Sequence, residues 1–271
     1  MAKVLVVTSG KGGVGKTTST AALGASLAQN GEKVVVVDFD VGLRNLDLVM
    51  GAERRVVFDL INVVQGVAKL SQALIRDKRL ENLWLLPASQ TRDKDALTDE
   101  GVGSIIADLR TRFDWIICDS PAGIERGATL AMRYADEAVI VTNPEVSSVR
   151  DSDRIIGMLD SKTVKAEKGE QVKKHVLITR YDTARAARGE MIGIDDILEI
   201  LATPLLGIIP ESQDVLRASN VGSPVTLNNA ASAPARAYTD AARRLMGETV
   251  TMLVPTERKG LMDRLLGRRA A

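Results

Sequence analysis

The chain has 271 residues, of which 45% are hydrophobic and 26% are charged, and its formal net charge is +1. These proportions are typical of a soluble globular protein and exclude both a wholly disordered chain and a polytopic membrane protein. A chain of this length buries about three quarters of its unfolded surface, so the core requires no disulfide or structural metal.

Seven short apolar runs predict β-strands that are covered on both faces. In chain order they are 4–8, 34–37, 83–86, 115–118, 138–141, 176–179 and 205–209. Segments of helical periodicity lie between them, at 17–30, 57–65, 98–111, 127–134, 149–161, 194–201, 213–218 and 235–246. The alternation predicts an α/β fold with a doubly wound, mostly parallel sheet of seven or eight strands and helices on both faces. The polar segment 161–174 is expected to be a surface excursion.

A glycine-rich segment joins the first predicted strand to the first predicted helix. It matches the P-loop pattern Gly-x-x-x-x-Gly-Lys-Thr, with Gly10, Gly15, Lys16 and Thr17 at the defining positions. In this context the glycines let backbone N–H groups face phosphates, and the helix N-terminus adds partial positive charge. Lys16 is expected to bridge the β- and γ-phosphates of ATP, and the Thr17 hydroxyl to ligate Mg²⁺. The predicted nucleotide-binding loop consists of Gly10, Lys11, Gly12, Gly13, Val14, Gly15, Lys16, Thr17 and Thr18.

Three aspartates follow predicted strands at the edge where ligands gather in parallel α/β sheets. Asp119 ends the strand 115–118, and Asp38 and Asp40 follow the strand 34–37. Asp119 is a candidate Mg²⁺ ligand, acting through water molecules on the ion. Either Asp38 or Asp40 is placed to orient the water that attacks ATP, and the residue types alone do not decide between them.

Two other reactive side chains lie in or beside predicted strands. Cys118, the single cysteine, lies next to Asp119 in a predicted buried strand and is expected to be a small core side chain. His175 follows two lysines at the start of the strand 176–179 and is expected to be solvated.

Lys11 occupies a position that the general P-loop pattern leaves open. With this lysine, residues 11–18 resemble the loop of the deviant Walker A ATPases, the family that includes septum-site and chromosome-partitioning proteins. Further similarity to septum-site members of the family runs from the first strand to the last residues, and is carried by segments 38–47, 86–94, 119–125 and 142–153.

The resemblance implies that Lys11, Lys16 and Asp40 are the catalytic residues. Lys11 would reach the phosphates of a partner subunit in an ATP-dependent homodimer, and Asp40 would position the attacking water. Mg²⁺ is the implied cofactor, with ATP as substrate, and Asp38 and Asp119 would contribute to the magnesium site.

The same resemblance implies an adenine site and two protein partners. Arg180, Pro210 and Glu211 would lie near the adenine. One partner would be a division inhibitor that is recruited to the membrane, and the other a small activator that stimulates an otherwise slow hydrolysis. The candidate partner contacts near the dimer interface are Arg44, Asn45, Glu53, Arg54, Asp151 and Asp153.

The C-terminal residues 258–271 carry five basic side chains and one acidic one. On a helix, four apolar side chains would form one stripe: Leu261, Met262, Leu265 and Leu266. Basic side chains at the ends of the helix would reach lipid phosphates: Arg258, Lys259, Arg268 and Arg269. Arg264 lies on the side opposite the stripe and is a further membrane-site candidate. The pattern predicts a short interfacial helix for an anionic membrane surface, which the resemblance also implies. We therefore divide the chain into a P-loop ATPase domain at 1–246, a linker at 247–257 and an amphipathic membrane-targeting tail at 258–271.

These observations favour a membrane-cycling ATPase that places the division septum, with two alternatives. A ParA-like partition ATPase would need a basic surface for nucleic acid, but the chain outside the tail has 31 basic and 34 acidic side chains. No nucleic acid is therefore expected as a partner. A metabolic P-loop enzyme would need a second substrate motif, and we find none. With no leader sequence and no apolar run approaching the ~20 residues of a membrane span, we expect a cytoplasmic protein that is peripheral on the inner face of the cell membrane when ATP is bound.

Overall fold

The structure is a computed structural model and describes residues 2–90 and 96–254. Within these residues eight strands form one sheet: β1 Lys3–Thr8, β2 Val34–Asp38, β3 Ile75–Arg76, β4 Leu83–Leu86, β5 Trp115–Asp119, β6 Glu137–Thr142, β7 Lys173–Tyr181 and β8 Leu205–Pro210. Their order is β3-β4-β2-β5-β1-β6-β7-β8. β3 pairs antiparallel with β4, and the other neighbouring strands are parallel. The predicted mostly parallel sheet is confirmed.

The helices of the described residues alternate with the strands. In chain order they are α1 Lys16–Gln29, α2 Leu46–Val49, α3 Leu60–Val64, α4 Leu70–Ala73, α5 Asp99–Arg110, α6 Arg126–Met132, α7 Val146–Lys162, α8 Val164–Glu167, α9 Thr183–Ala187, α10 Ile194–Leu201, α11 Gln213–Asn220, α12 Val225–Asn228 and α13 Ala233–Leu245, with a 3-10 turn at Glu53–Arg55.

The central strands are buried on both faces because successive side chains point to opposite sides of a sheet. In β1, Leu5 and Val7 pack into a core that includes α1 and α13, whereas Val4 and Val6 pack into a second core with α5 and α6. The nearly continuous apolar strands are therefore explained by helices on both faces, as predicted.

The parallel strands bring their carboxyl ends to one edge of the sheet. The P-loop leaves β1 at this edge, and Asp38 at the end of β2 lies in register with Asp119 at the end of β5. The fold thus brings Asp38, Asp119 and the P-loop, which are distant in sequence, together at one edge of the sheet.

Most predicted elements agree with the structure, and the differences have local causes. The helix predicted from residue 57 begins at Leu60, because Asp59 and Asn62 cap it by exchanging side-chain and backbone hydrogen bonds of 2.9 and 3.1 Å. The short elements β3, α2, α4, α8, α9 and α12 were not predicted, because two to five residues are too few to display a period. Segment 161–174, expected to be a surface excursion, is mostly exposed, and it contains the end of α7 and the short helix α8.

The expectation for His175 is wrong, and that for Cys118 is confirmed. β7 begins at Lys173, so His175 lies inside the strand, is buried, and has Nε2 3.2 Å from Glu137 Oε2. Cys118 is buried in β5, and burial raises the pKa of its thiol to about 12.

The described part of the chain contains no helix with the length and apolar character of a membrane span. The predicted tail and the last three residues of the predicted linker lie outside the described residues, as do residues 91–94 of the resembling segment 86–94.

Candidate functional site

The phosphate loop connects β1 to α1 in the geometry that an anion requires. Gly13 and Gly15 have φ of +75° and +98°, a region that side chains with a Cβ rarely adopt. Gly15 is the N-cap residue of α1 and offers no side chain to its first amide groups. These N–H groups are therefore available to a phosphate at the positive end of the helix.

Lys16 lies buried at the centre of the loop. Its Nζ donates hydrogen bonds to Ser9 Oγ at 2.9 Å and to the Lys11 carbonyl oxygen at 3.4 Å. Burial lowers its pKa, while the negative charges of Asp119 and Asp40 oppose the decrease. The ammonium group is thus held in place before a nucleotide binds, which reduces the ordering cost of binding.

Contacts from β6, β7 and α7 fix the position of the loop. The Thr179 hydroxyl lies 2.6 Å from the Val14 carbonyl oxygen and 2.9 Å from Asn143 Oδ1. A Cβ on Gly10 would lie 2.3 Å from the carbonyl oxygen of Asp151, so the loop passes directly against α7. Thr179 and Asn143 were not predicted as site residues, because they contact the loop only through the tertiary fold.

Asp119 lies beside α1 at the end of β5. The Thr20 hydroxyl donates to its Oδ1 at 3.0 Å, and Thr17 also forms a hydrogen bond with this carboxylate. Burial raises the pKa of Asp119 to about 6, although both threonines and the charge of Lys16 oppose the rise. Thr20 was not predicted, but its position three residues after Thr17 on the same helix face is a signal for it.

Asp38 holds the backbone that follows β2. Its two carboxylate oxygens accept the amide N–H groups of Asp40 at 2.8 Å and Leu46 at 3.2 Å. Burial, together with the negative charge of Asp119, raises the pKa of Asp38 well above its usual range. The structure therefore gives Asp38 a role in shaping the segment that carries Asp40.

Asp40 differs from Asp38 in its surroundings. It is only partly buried and lines a cavity of about 240 Å³, together with Pro121, Ala122 and Glu125 from the segment after β5. Its charge acts on both Lys16 and Asp119. Asp40 is therefore better placed than Asp38 to meet a water molecule near the phosphates.

The donor set is compatible with Mg²⁺. The carboxylates of Asp38, Asp40 and Asp119 lie close enough to act on one another, and burial raises the pKa of Asp38 and Asp119. A divalent cation would offset this negative charge. Thr17 and Asp119 supply hard oxygen donors at the loop, and Mg²⁺ takes its remaining ligands from water and phosphate oxygens.

A cavity of about 280 Å³ adjoins the phosphate loop. It is bordered by Gly15 and Thr18 on one side and by Arg180, Pro210 and Glu211 on the other. Tyr238 also lines it, and its hydroxyl lies 3.0 Å from Ser19 Oγ. The three residues that the family resemblance assigned to the adenine therefore surround one space next to the loop.

Lys11 lies on the side of the loop that faces α7. Its Nζ is 2.9 Å from Glu145 Oε2 and 3.3 Å from Ser147 Oγ, and its side chain is 41% exposed. Within one chain Lys11 thus forms an ion pair at the protein surface, while its predicted contact with a partner's phosphates stays a prediction.

The six predicted partner contacts occupy three places in the fold. Arg44 and Asn45 precede α2, Glu53 and Arg54 lie in the 3-10 turn, and Asp151 and Asp153 lie on α7. Arg44 Nε lies 2.8 Å from the buried Asp47 carboxylate, and Asp151 packs on the loop. Arg44 and Asp151 therefore also have structural roles, whereas Asn45, Arg54 and Asp153 are exposed.

Comparison with known proteins gives consistent matches over the site. A model of the CobQ/CobB/MinD/ParA nucleotide binding domain matches residues 5–225, which contain all the predicted nucleotide-site residues. The septum site-determining protein MinD of Escherichia coli (strain K12) is 60% identical over 270 residues, covering 98% of this chain and 100% of that protein.

Solved structures show the same similarity to MinD proteins. In the MinC:MinD cell division protein complex of Aquifex aeolicus, one chain has a TM-score of 0.84 and 42% identity, covering 94% of this chain and 100% of that chain. The septum site-determining protein MinD of Pyrococcus horikoshii OT3, complexed with Mg-ADP, has a TM-score of 0.79 and 32% identity, covering 90% of this chain and 96% of that chain.

Proposed function

The chain belongs to the CobQ/CobB/MinD/ParA nucleotide-binding family, and on this basis we propose that it is an ATPase that dimerises when ATP is bound. The dimer attaches to the anionic inner face of the cell membrane through the C-terminal tail, recruits a division inhibitor and so places the division septum. One observation carries the ATPase proposal: Lys16, Thr17, Asp119 and Asp40 converge at the carboxyl edge of the sheet.

The buried loop accounts for nucleotide binding. Lys16 and the amide groups at the start of α1 bind phosphate oxygens, and Thr17 and Asp119 hold Mg²⁺. When bound, Mg²⁺ offsets the negative charge of the phosphates. The cavity between Thr18 and Pro210 receives the base.

Asp40 accounts for hydrolysis to ADP and phosphate. Its carboxylate orients the attacking water, and its neighbour Asp38 fixes the backbone from which it projects. Lys11 supplies positive charge to the partner subunit's phosphates, so the site is complete only in the dimer. Hydrolysis by the isolated chain is slow, and a MinE-like activator stimulates it.

The tail accounts for a membrane cycle. Fully burying its four apolar side chains would contribute roughly 6–10 kcal/mol, but partial insertion and the cost of ordering a short helix leave much less. A single tail therefore binds weakly, and two tails on one dimer strengthen attachment by ~10²–10⁴ through effective concentration. Hydrolysis separates the subunits and releases them.

Similarity to a solved complex supports the proposed division inhibitor as a partner. The Aquifex aeolicus relative was solved as a MinC:MinD complex, which supports a MinC-like inhibitor as partner of this chain. The exposed side chains of Asn45, Arg54 and Asp153 are the proposed contacts.

Light scattering tests the nucleotide-driven dimer. We expect twice the monomer mass of 29.1 kDa with Mg²⁺ and a non-hydrolysable ATP analogue, and the monomer mass with Mg·ADP. Equal masses in the two nucleotides would contradict the proposal, whether the chain were a monomer or a dimer in both.

A further inference from the structure

The segment that leads from α13 to the tail is folded back onto the body of the protein. Gly247 has φ of +93°, and its N–H donates to the Arg244 carbonyl oxygen at 3.0 Å. The Glu248 N–H donates to the Arg243 carbonyl oxygen at 3.0 Å. This pair of bonds is the Schellman motif, which ends a helix and turns the chain through a left-handed residue.

A single guanidinium group then holds the segment against the edge of the sheet. Arg244 Nη1 donates to the Leu206 carbonyl oxygen of β8 at 2.8 Å. The same side chain donates from Nη2 to the Thr251 carbonyl oxygen at 2.8 Å and from Nε to the Val250 carbonyl oxygen at 3.1 Å. All three nitrogen atoms of the Arg244 guanidinium group thus join β8 to residues 250–251. The single ammonium group of lysine cannot reproduce these three bonds.

Apolar packing contributes little to holding residues 252–254. The side chains of Leu253 and Val254 are 69% and 48% exposed. Met252 and Leu253 border a cleft of about 490 Å³ against Ile208 and Ala237 instead of filling it. The hydrogen bonds of Arg244 are therefore the main described contacts that fix where the chain leaves the body.

We propose that Arg244 is a positioning residue for membrane attachment, because it anchors the root of the tail, defined here as residues 247–254. This inference rests on the proposed function. With residues 250–251 held by Arg244, nine residues, 252–260, separate the anchor from Leu261, the first residue of the apolar stripe. Without the anchor, the separation grows to the fourteen residues 247–260.

The longer connection weakens only the attachment that uses two tails. Effective concentration falls roughly as the −3/2 power of connection length, so the change from nine to fourteen residues lowers it about 2-fold. Binding through one tail does not depend on this term.

The experiment measures the concentration of anionic vesicles needed to sediment half of the full-length protein. Arg244→Ala is expected to raise this concentration about 2-fold with the ATP analogue, and neither the wild type nor the variant is expected to sediment with ADP. Arg243→Ala is the matched control, because it removes the neighbouring exposed pair with Glu248 and leaves the Arg244 bonds in place. Arg244→Lys is expected to fall between the wild type and Arg244→Ala.

A length-compensated variant separates positioning from general destabilisation. In Arg244→Ala, deletion of residues 248–252 leaves nine residues between Met246, the C-cap residue of α13, and Leu261, and is expected to restore sedimentation. Limited proteolysis without vesicles is expected to cut the chain faster within residues 250–254 in Arg244→Ala, while the core strands stay intact.

Each contrary result has a distinct meaning. Unchanged proteolysis at residues 250–254, unchanged sedimentation of Arg244→Ala, or failure of the deletion to restore it would overturn the anchor while leaving the proposed function standing. A wild-type protein that does not sediment in either nucleotide would overturn the proposed function, and the anchor's role with it.

Discussion

Replacing Asp40 with alanine is expected to leave ATP binding intact, to slow hydrolysis about 10²–10⁴-fold, and to accumulate the ATP-bound dimer. Asp40 is partly buried and faces the cavity beside Pro121, whereas Asp38 is fully buried with both oxygens bound to backbone N–H groups. Of these two aspartates, Asp40 is therefore the one placed to orient a water molecule. Phosphate release and the mass of the ATP-loaded protein measure the two effects.

Glu125→Ala is the matched control for this substitution. Glu125 is a second carboxylate that lines the same cavity, but it projects from the segment after β5. We expect this variant to hydrolyse ATP at the wild-type rate. If Asp40→Ala hydrolysed ATP normally, the assignment of the water to Asp40 instead of Asp38 would be wrong.

Replacing Lys11 with alanine is expected to abolish ATP-dependent dimerisation at concentrations at which the wild type is dimeric. Removing one member of a buried charge pair at an interface costs about 2–5 kcal/mol, because the phosphate charge of the partner loses its counter-charge. Light scattering with the ATP analogue measures the change. A Lys11→Ala variant that still dimerised would rule out the proposed contact across the interface.

Glu145→Gln provides the control for Lys11. The ion pair between these residues has side-chain exposures of 41% and 51%, so its rupture on dimerisation costs at most about 1 kcal/mol. We expect Glu145→Gln to dimerise at least as well as the wild type. Its failure to dimerise would mean that Glu145 itself is part of the interface.

The phosphate loop was predictable because its information is local. Gly13 and Gly15 adopt positive φ, Lys16 follows, and the flanking strand and helix have distinct periods, so eight residues in sequence specify one anion site. The strand ends that carry Asp38 and Asp119 were predictable for a similar reason, since continuous apolar runs mark buried parallel strands.

The contacts that hold the phosphate loop in place could not be predicted in this way. The Thr179 hydroxyl meets the Val14 carbonyl oxygen across 165 residues of sequence, and Gly10 meets Asp151 through the packing of α7. Such contacts leave no periodic pattern and no motif in a single sequence. His175 was misjudged because its neighbouring lysines indicated a strand start, whereas pairing with β6 extends β7 to include it.

Sedimentation with anionic vesicles tests the membrane-cycling ATPase most directly. The full-length chain and a truncation ending at Thr256 are each compared in ATP and in ADP, with a DNA fragment in a parallel sample. We predict that only the full-length protein in ATP sediments with vesicles, and that neither protein retains DNA. Sedimentation that is equal in both nucleotides, or that persists without the tail, would contradict a membrane-cycling ATPase. Binding to DNA without binding to vesicles would place the chain with the partition ATPases.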